Sequence, residues 1–250
     1  MKRRLVAALA CRNQGTRLYG KPLQNLDIEK RVSVLEYMIA WIRTMPVIDD
    51  IVLGISEGSD NTSFVEFAKQ KKLPYIIGDE EDVLIRLIRC GEKGQASDIF
   101  RLTTESPFTY FEGIESAWAD HVNGNYDFTC LDNVSDGCGF EIIKINALEY
   151  SHLHGKKRHR SEFCSLYIRE NKNKFKIKYV DVPQSIRRTD LRLTIDYPED
   201  LIVCRAVYSR FKDQAPKIHV ADIIEYLDEN PQLKSLVAPF VGEGLRTMYL

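Results

Sequence analysis

The sequence predicts an α/β fold, a mixed, mostly parallel sheet flanked by helices, and three observations predict it. Short apolar runs at Leu5–Ala10, Asp50–Ile55, Tyr75–Ile77 and Ile99–Thr103 alternate with amphipathic stretches at Ser33–Met45, Ser63–Lys71, Glu81–Cys90 and Tyr110–His121. That order of strand and helix builds parallel sheets covered on both faces. The 250 residues are 44% hydrophobic, enough for one domain of this class spanning the whole chain, 1–250. A cationic, glycine-bearing stretch follows the first strand directly, and such sheets bind ligands outside the carboxyl ends of their strands.

Leu5–Ala10 has the length of a buried strand. Met1-Lys2-Arg3-Arg4 ahead of it and Cys11 behind it imitate a lipoprotein signal, but the apolar core is too short for one. No apolar run approaches a membrane span. A net charge of −1 provides no general field for nucleic acid or an anionic membrane, so any anion must be held locally. The six cysteines, at 11, 90, 130, 138, 164 and 204, form no C-x-x-C pair and no regular spacing, which favours reduced thiols and a cytoplasmic protein.

Cys11-Arg12-Asn13-Gln14-Gly15-Thr16-Arg17-Leu18-Tyr19-Gly20-Lys21 has the composition of a polyphosphate cradle. Glycines let backbone N–H groups approach oxygen anions, and Arg12, Arg17 and Lys21 supply charge-assisted hydrogen bonds. It is not a Walker A loop. Gly15-(four residues)-Gly20-Lys21 stops one residue short of it, because Pro22 stands where Ser or Thr would hold magnesium, and the next helical pattern begins only near Ser33.

Gly78-Asp79-Glu80-Glu81-Asp82-Val83-Leu84-Ile85-Arg86 opens a helix with acids, which by themselves suit the helix dipole. Arg101-Leu102-Thr103-Thr104-Glu105-Ser106-Pro107-Phe108 runs from a strand end into a turn, where Glu105 reads equally as an acid at the start of a helix. From Tyr126 to Asn146 the pattern becomes β-rich. The basic cluster His152–Arg160 carries three histidines among four lysines and arginines. A solvated loop fits it better than a zinc site, and steering of an anionic ligand is a third reading. Phe175–Val182 alternates as a strand and forms, with 160–170, a late excursion at about 156–185. Asp190-Leu191-Arg192-Leu193-Thr194-Ile195-Asp196-Tyr197-Pro198-Glu199-Asp200-Leu201 reads as a strand delivering Asp196, then a helix beginning at Pro198 with Glu199 and Asp200 in its first turn. One more helix is expected over 218–229.

These stretches together resemble the spore-coat polysaccharide type of cytidylyltransferase and, more loosely, 3-deoxy-octulosonate cytidylyltransferases and CMP-sialic acid synthetases. The cradle is similar to that family's Ala-Arg-x-x-Ser-Thr-Arg-Leu-Pro-Gly-Lys, with Cys11, Gly15 and Tyr19 substituted. The segment at 190–201 differs from the family's Asp-Leu-Arg-Leu-Thr-Val-Asp-Thr-Pro-Glu-Asp-Leu only at Ile195 and Tyr197. Phe163 and Leu166 replace a family histidine and proline, and Glu105 replaces an aspartate.

The resemblance implies the nucleotide-diphospho-sugar transferase (GT-A-like) fold and transfer of CMP from CTP to a small anionic sugar-type acceptor, a sugar acid or sugar phosphate, in polysaccharide biosynthesis. Arg12, Gly15, Thr16, Arg17, Lys21, Asp82 and Arg86 would then bind the nucleotide, with Arg17 and Lys21 the catalytic cations. Glu105 and Asp196 would hold Mg2+. The segment around Gly137–Glu141 would shape the acceptor pocket, and a β-ribbon at 156–185 would join two copies in a homodimer. Two other readings stand beside this one: a glycosyltransferase of similar fold, although no Asp-x-Asp motif occurs, and an inactive nucleotide-binding homologue.

Overall fold

Leu5, Ala7, Leu9 and Cys11 of the first strand pack into one core cluster, and Val6 and Ala8 into another. A strand with no polar side is one covered on both faces. The computed structural model describes residues 3–15 and 17–242. The chain runs through β1 (Leu5–Cys11), a small antiparallel pair β2 (Asn25–Asp27) and β3 (Val32–Ser33), α1 (Val34–Ile42), β4 (Asp50–Ser56), α2 (Thr62–Gln70), β5 (Tyr75–Gly78), α3 (Val83–Gly94) and β6 (Asp98–Thr103). It continues through α4 (Ile114–Asn123), β7 (Phe128–Cys130), β8 (Glu141–Lys144), α5 (Ile145–His154), α6 (Leu166–Glu170), β9 (Ile177–Tyr179), α7 (Pro198–Phe211), α8 (Val220–Glu229) and α9 (Pro231–Val237).

Seven strands form one sheet in the order β5-β4-β1-β6-β8-β7-β9. Its neighbours are parallel except at β8, which runs against both β6 and β7. From β1 the chain builds outward through β4 and β5, then crosses to β6 on the other side. The topological switch therefore lies between β1 and β6, and a crevice opens there at the carboxyl ends of the strands. Residues of α1, α2, α4, α7 and α8 pack on one face, and those of α3, α5 and α6 on the other.

Local chemistry sets the helix starts. Ser33 Oγ accepts from Glu36 N at 3.1 Å and caps α1. Asp82 Oδ1 accepts from Ile85 N at 2.8 Å and caps α3. Pro198 occupies the first turn of α7, and Asp200 Oδ2 accepts from the Asp196 and Tyr197 backbone N–H groups at 2.8 and 2.9 Å.

Two expectations are corrected. The stretch 156–185 forms no ribbon, because 166–170 is helical and the one strand that follows, β9, pairs with the open edge of β7 in the main sheet. The segment ending at Asp196 is extended but makes only an isolated bridge, Asp136 to Arg192. Its backbone is satisfied piecemeal, by Asp136 O for Leu193 N and Glu105 O for Ile195 N, because the side chain of Arg192, rather than a ladder, ties it down. No helix among the described residues is long and apolar enough to cross a membrane.

Candidate active site

At the switch point a cleft of about 1010 Å³ is lined by the cradle, the end of β6 and its following turn, the loop after β7, and the segment around 162–163. The cradle is fixed from below. Asn13, buried, receives no solvent: its N–H donates to Asn61 Oδ1 at 2.8 Å and its Nδ2 to Ser63 Oγ at 2.8 Å, while its carbonyl accepts from Gly20 N at 2.9 Å. This closes the loop on itself. A Cβ at Gly15 would lie 2.4 Å from Leu18 O, so serine cannot stand there in this backbone. Thr16 lies outside the described residues.

Each cradle cation faces a protein group. Arg12 Nη2 is 3.1 Å from Glu162 Oε2 on the far rim. Arg17 stacks over Tyr197, its guanidinium carbon 4.9 Å from the ring centroid, and Tyr197 stacks in turn on Phe240 at 3.9 Å. Lys21 Nζ donates to Asp196 Oδ1 at 2.5 Å.

Asp196 is held from its other side by Arg192, whose side chain is 1% exposed. Arg192 donates to Asp196 Oδ2 at 2.6 Å, to Asp136 Oδ2 at 2.7 Å and to both oxygens of Asp200 at 2.8 and 3.2 Å. Burial works to raise the pKa of Asp196, but Lys21 and Arg192 outweigh it and hold the carboxyl below its ordinary range. Asp136 moves the other way: burial raises it, with the charges of Asp196 and Asp200 adding, against Arg192.

Glu105 stands beside this pair, because Ile195 N donates to its carbonyl at 2.9 Å. Its carboxylate accepts one long hydrogen bond, from Thr104 Oγ1 at 3.4 Å. Burial raises its pKa, Lys21 opposes the rise, and the charges of Asp196 and Glu162 add to it. Two carboxylates thus line one edge of the cleft, with Lys21 of the cradle in contact with Asp196. They fit a magnesium ion, which takes one or two protein carboxylates and completes its shell with phosphate and water oxygens. Each Asp196 oxygen accepts one of these side-chain hydrogen bonds and keeps a second lone pair.

The remaining expected residues separate. Arg86 lines the cleft floor, buried, donating to Cys11 O at 3.2 Å and Gly54 O at 3.1 Å at the ends of β1 and β4. Its Nε is buried without a partner. Asp82 does not line the cleft: its carboxylate is used by the α3 cap and by His152 Nε2 at 2.8 Å. The basic cluster has separate anchors, with His159 on Glu170 and Arg158 on the same carboxylate. Lys157 pairs with Glu81.

Four groups in the cleft receive no role from the sequence. Asp136 is brought in by Gly137, whose φ of 92° and close approach to Thr194 N, where a Cβ would be at 2.6 Å, admit no side chain. Glu162 arrives on the segment after the basic cluster. Asp132 and Arg169 form an ion pair at 2.7 Å on the far wall, where Glu141, expected near the acceptor pocket, joins Arg169 at 3.0 Å and Arg101 at 2.9 Å.

No protein-family model matches the chain. It is 26% identical over 227 residues to the spore coat polysaccharide biosynthesis protein SpsF of Bacillus subtilis, covering 89% of this chain and 93% of that one. It is also 26% identical over 233 residues to an uncharacterized protein of Methanocaldococcus jannaschii, covering 93% and 94%. A cytidylyltransferase from Leptospira borgpetersenii has the same fold, with a TM-score of 0.80 at 22% identity over 93% of this chain and 96% of that one. A CMP:2-keto-3-deoxy-manno-octonic acid synthetase solved with CTP superposes at 0.59 and 14% identity, over 83% and 99%. The fold is that of the nucleotide-diphospho-sugar transferases, and the resemblance read from the motifs extends over nearly the whole chain.

Proposed function

We propose that this chain is a nucleotidyltransferase that moves CMP from CTP to a hydroxyl of a sugar acid or sugar phosphate and releases pyrophosphate. One observation carries the reading: the cationic loop after β1 and the carboxylates of Glu105 and Asp196 line a single cleft at the switch point of the sheet. The names of two structural neighbours, a cytidylyltransferase and a CMP-linked synthetase solved with CTP, support cytosine as the base.

Arg12, Arg17 and Lys21 bind the β- and γ-phosphates, and the acceptor oxygen attacks the α-phosphorus as the bond to pyrophosphate breaks. The negative charge that grows on the leaving group falls on Arg17 and Lys21, charge-assisted donors that already hold the phosphates of the bound nucleotide when the bond breaks. Glu105 and Asp196 hold magnesium, which neutralises phosphate charge when bound. Arg192 keeps Asp196 ionised and oriented. Arg86 supports the cradle from its floor, and the wall formed by Asp132, Glu141, Arg101 and Arg169 borders the acceptor.

The protein acts as a homodimer through the edge at β9. Mixing it with CTP, magnesium and a panel of sugar acids and sugar phosphates tests the activity. Acceptor-dependent pyrophosphate release is expected, faster with CTP than with UTP or GTP. Consumption of a finished nucleotide sugar without pyrophosphate would identify a glycosyltransferase, and absence of both reactions with retained CTP binding an inactive homologue.

A further inference from the structure

The contact between Lys21 and Asp196 carries an inference about the form in which the nucleotide enters. It rests on the nucleotidyl-transfer reading and concerns how that site is loaded. Lys21 and Asp196 are mostly buried, with side chains 17% and 21% exposed, so the pair is not a solvent-screened surface bridge. Around it stand four carboxylates, of which Asp136, Asp196 and Asp200 pair directly with Lys21 or Arg192, while Glu105 makes no ion pair among the described residues and feels Lys21 first and Arg12 more weakly. Arg192 is locked by three aspartates. Lys21 is the movable one, a flexible stem ending in an ammonium whose three N–H groups can be re-aimed.

A metal-free triphosphate that drew Lys21 to itself would strip Asp196 of one of its two cations and set its own charge against Glu105 and Asp196. A triphosphate that arrives with a divalent cation brings the replacement. We infer that Lys21 is an exchange residue: it neutralises Asp196 in the empty site, yields that carboxylate to the divalent cation of an incoming metal–triphosphate complex, and moves to the phosphates.

Manganese alone, followed by the electron spin resonance of the free ion, tests this without nucleotide or turnover. Lys21→Met removes the competitor and is expected to bind Mn2+ about tenfold tighter than wild type or more, since a charge-assisted hydrogen bond no longer has to be displaced. Lys21→Arg keeps a cation on Asp196 and is expected to bind Mn2+ no tighter than wild type. In calorimetry, tripolyphosphate should bind wild type at least tenfold more weakly in EDTA than with magnesium. Unchanged or weaker Mn2+ binding in Lys21→Met overturns the inference. So does tightening in both variants, or equal tripolyphosphate affinity with and without metal. Because neither probe contains a base or an acceptor, failure of CTP to react leaves these results standing and counts against the cytidylyl reading alone.

Discussion

The backbone N–H of Ile195 donates to the carbonyl of Glu105 across 2.9 Å, and with the Ser106 Oγ to Thr194 Oγ1 hydrogen bond at 3.2 Å it joins two distant segments so that Glu105 and Asp196 share an edge of the cleft. If the two form one metal site, both Asp196→Asn and Glu105→Gln lose magnesium-dependent pyrophosphate release. The loss expected is roughly 100- to 1000-fold each, the size of one oriented electrostatic contact of about 3–4 kcal/mol. Near-normal activity and magnesium dependence in Glu105→Gln would leave Asp196 to hold the metal alone and reduce Glu105 to a spacer.

Lys21→Ala removes a charge-assisted contact to the phosphates. Its value of about 1.5–3 kcal/mol corresponds to a 10- to 100-fold loss in CTP affinity or turnover. Initial rates at limiting CTP measure it, and wild-type rates would remove Lys21 from the site.

Much of this site was legible before the fold, and the reasons differ by residue. The strand at Leu5–Cys11 and the cradle behind it announce themselves locally, through apolar length and then clustered cations. Asp196 and Glu105 were legible by resemblance, and the structure adds why they meet. Asp82 misled because a helix cap and a nucleotide contact share one signature, an acid ahead of an apolar helix; His152 and Ile85 N use it. The strand expected up to Asp196 did not form, since a buried arginine can fix an extended chain without a ladder. Asp136 and Asp132 were invisible because each matters only through a partner far away in sequence, respectively Arg192 and Arg169, and Glu162, although it lies in a stretch that resembles the family, shows its pairing with Arg12 only in the fold.

Arg192 is the strongest structural element of the site. Arg192→Met leaves Asp136, Asp196 and Asp200 without their shared cation, and breaking a buried pair by removing one partner costs about 3–5 kcal/mol. A drop of that size in unfolding free energy from urea titration is expected. A loss below about 1 kcal/mol would show that the aspartates simply protonate or hydrate, as surface groups do.

The pH dependence of Glu105 gives a signature separate from activity. Its pKa is raised in the folded state from an ordinary 4.5, by burial first and then by Asp196 and Glu162, with Lys21 opposing. The native state therefore holds its proton to higher pH than the unfolded chain, and stability is lost as pH rises from about 4.5 through the raised value. Glu105→Gln cannot ionise and is spared that loss. Its melting temperature should match wild type near pH 4 and exceed it near pH 7.5; an equal offset at both pH values would mean that packing, not charge, sets the difference.

The dimer proposal rests on the outer edge of the sheet. Among the described residues β9 pairs with β7 alone and forms one edge of the sheet, the kind of edge that can accept another strand. Lysines often guard such edges, but Lys176 Nζ is drawn to Gly124 O at 2.6 Å and Lys178 Nζ lies 3.6 Å from Asp120, which turns both toward their own chain. Tyr179 is 46% exposed at the strand's end, and Leu153 on α5 is 76% exposed. Tyr150 of α5 packs edge-on against Phe175 just before the strand at 5.8 Å, so α5 and the approach to β9 share one aromatic cluster. A second copy, related by a twofold axis, would cover both with one self-complementary patch. Light scattering should return twice the mass of one chain at micromolar concentration, and Leu153→Lys with Tyr179→Lys should halve it while pyrophosphate release per chain persists. A single-chain mass for the unaltered protein across that range would end the proposal.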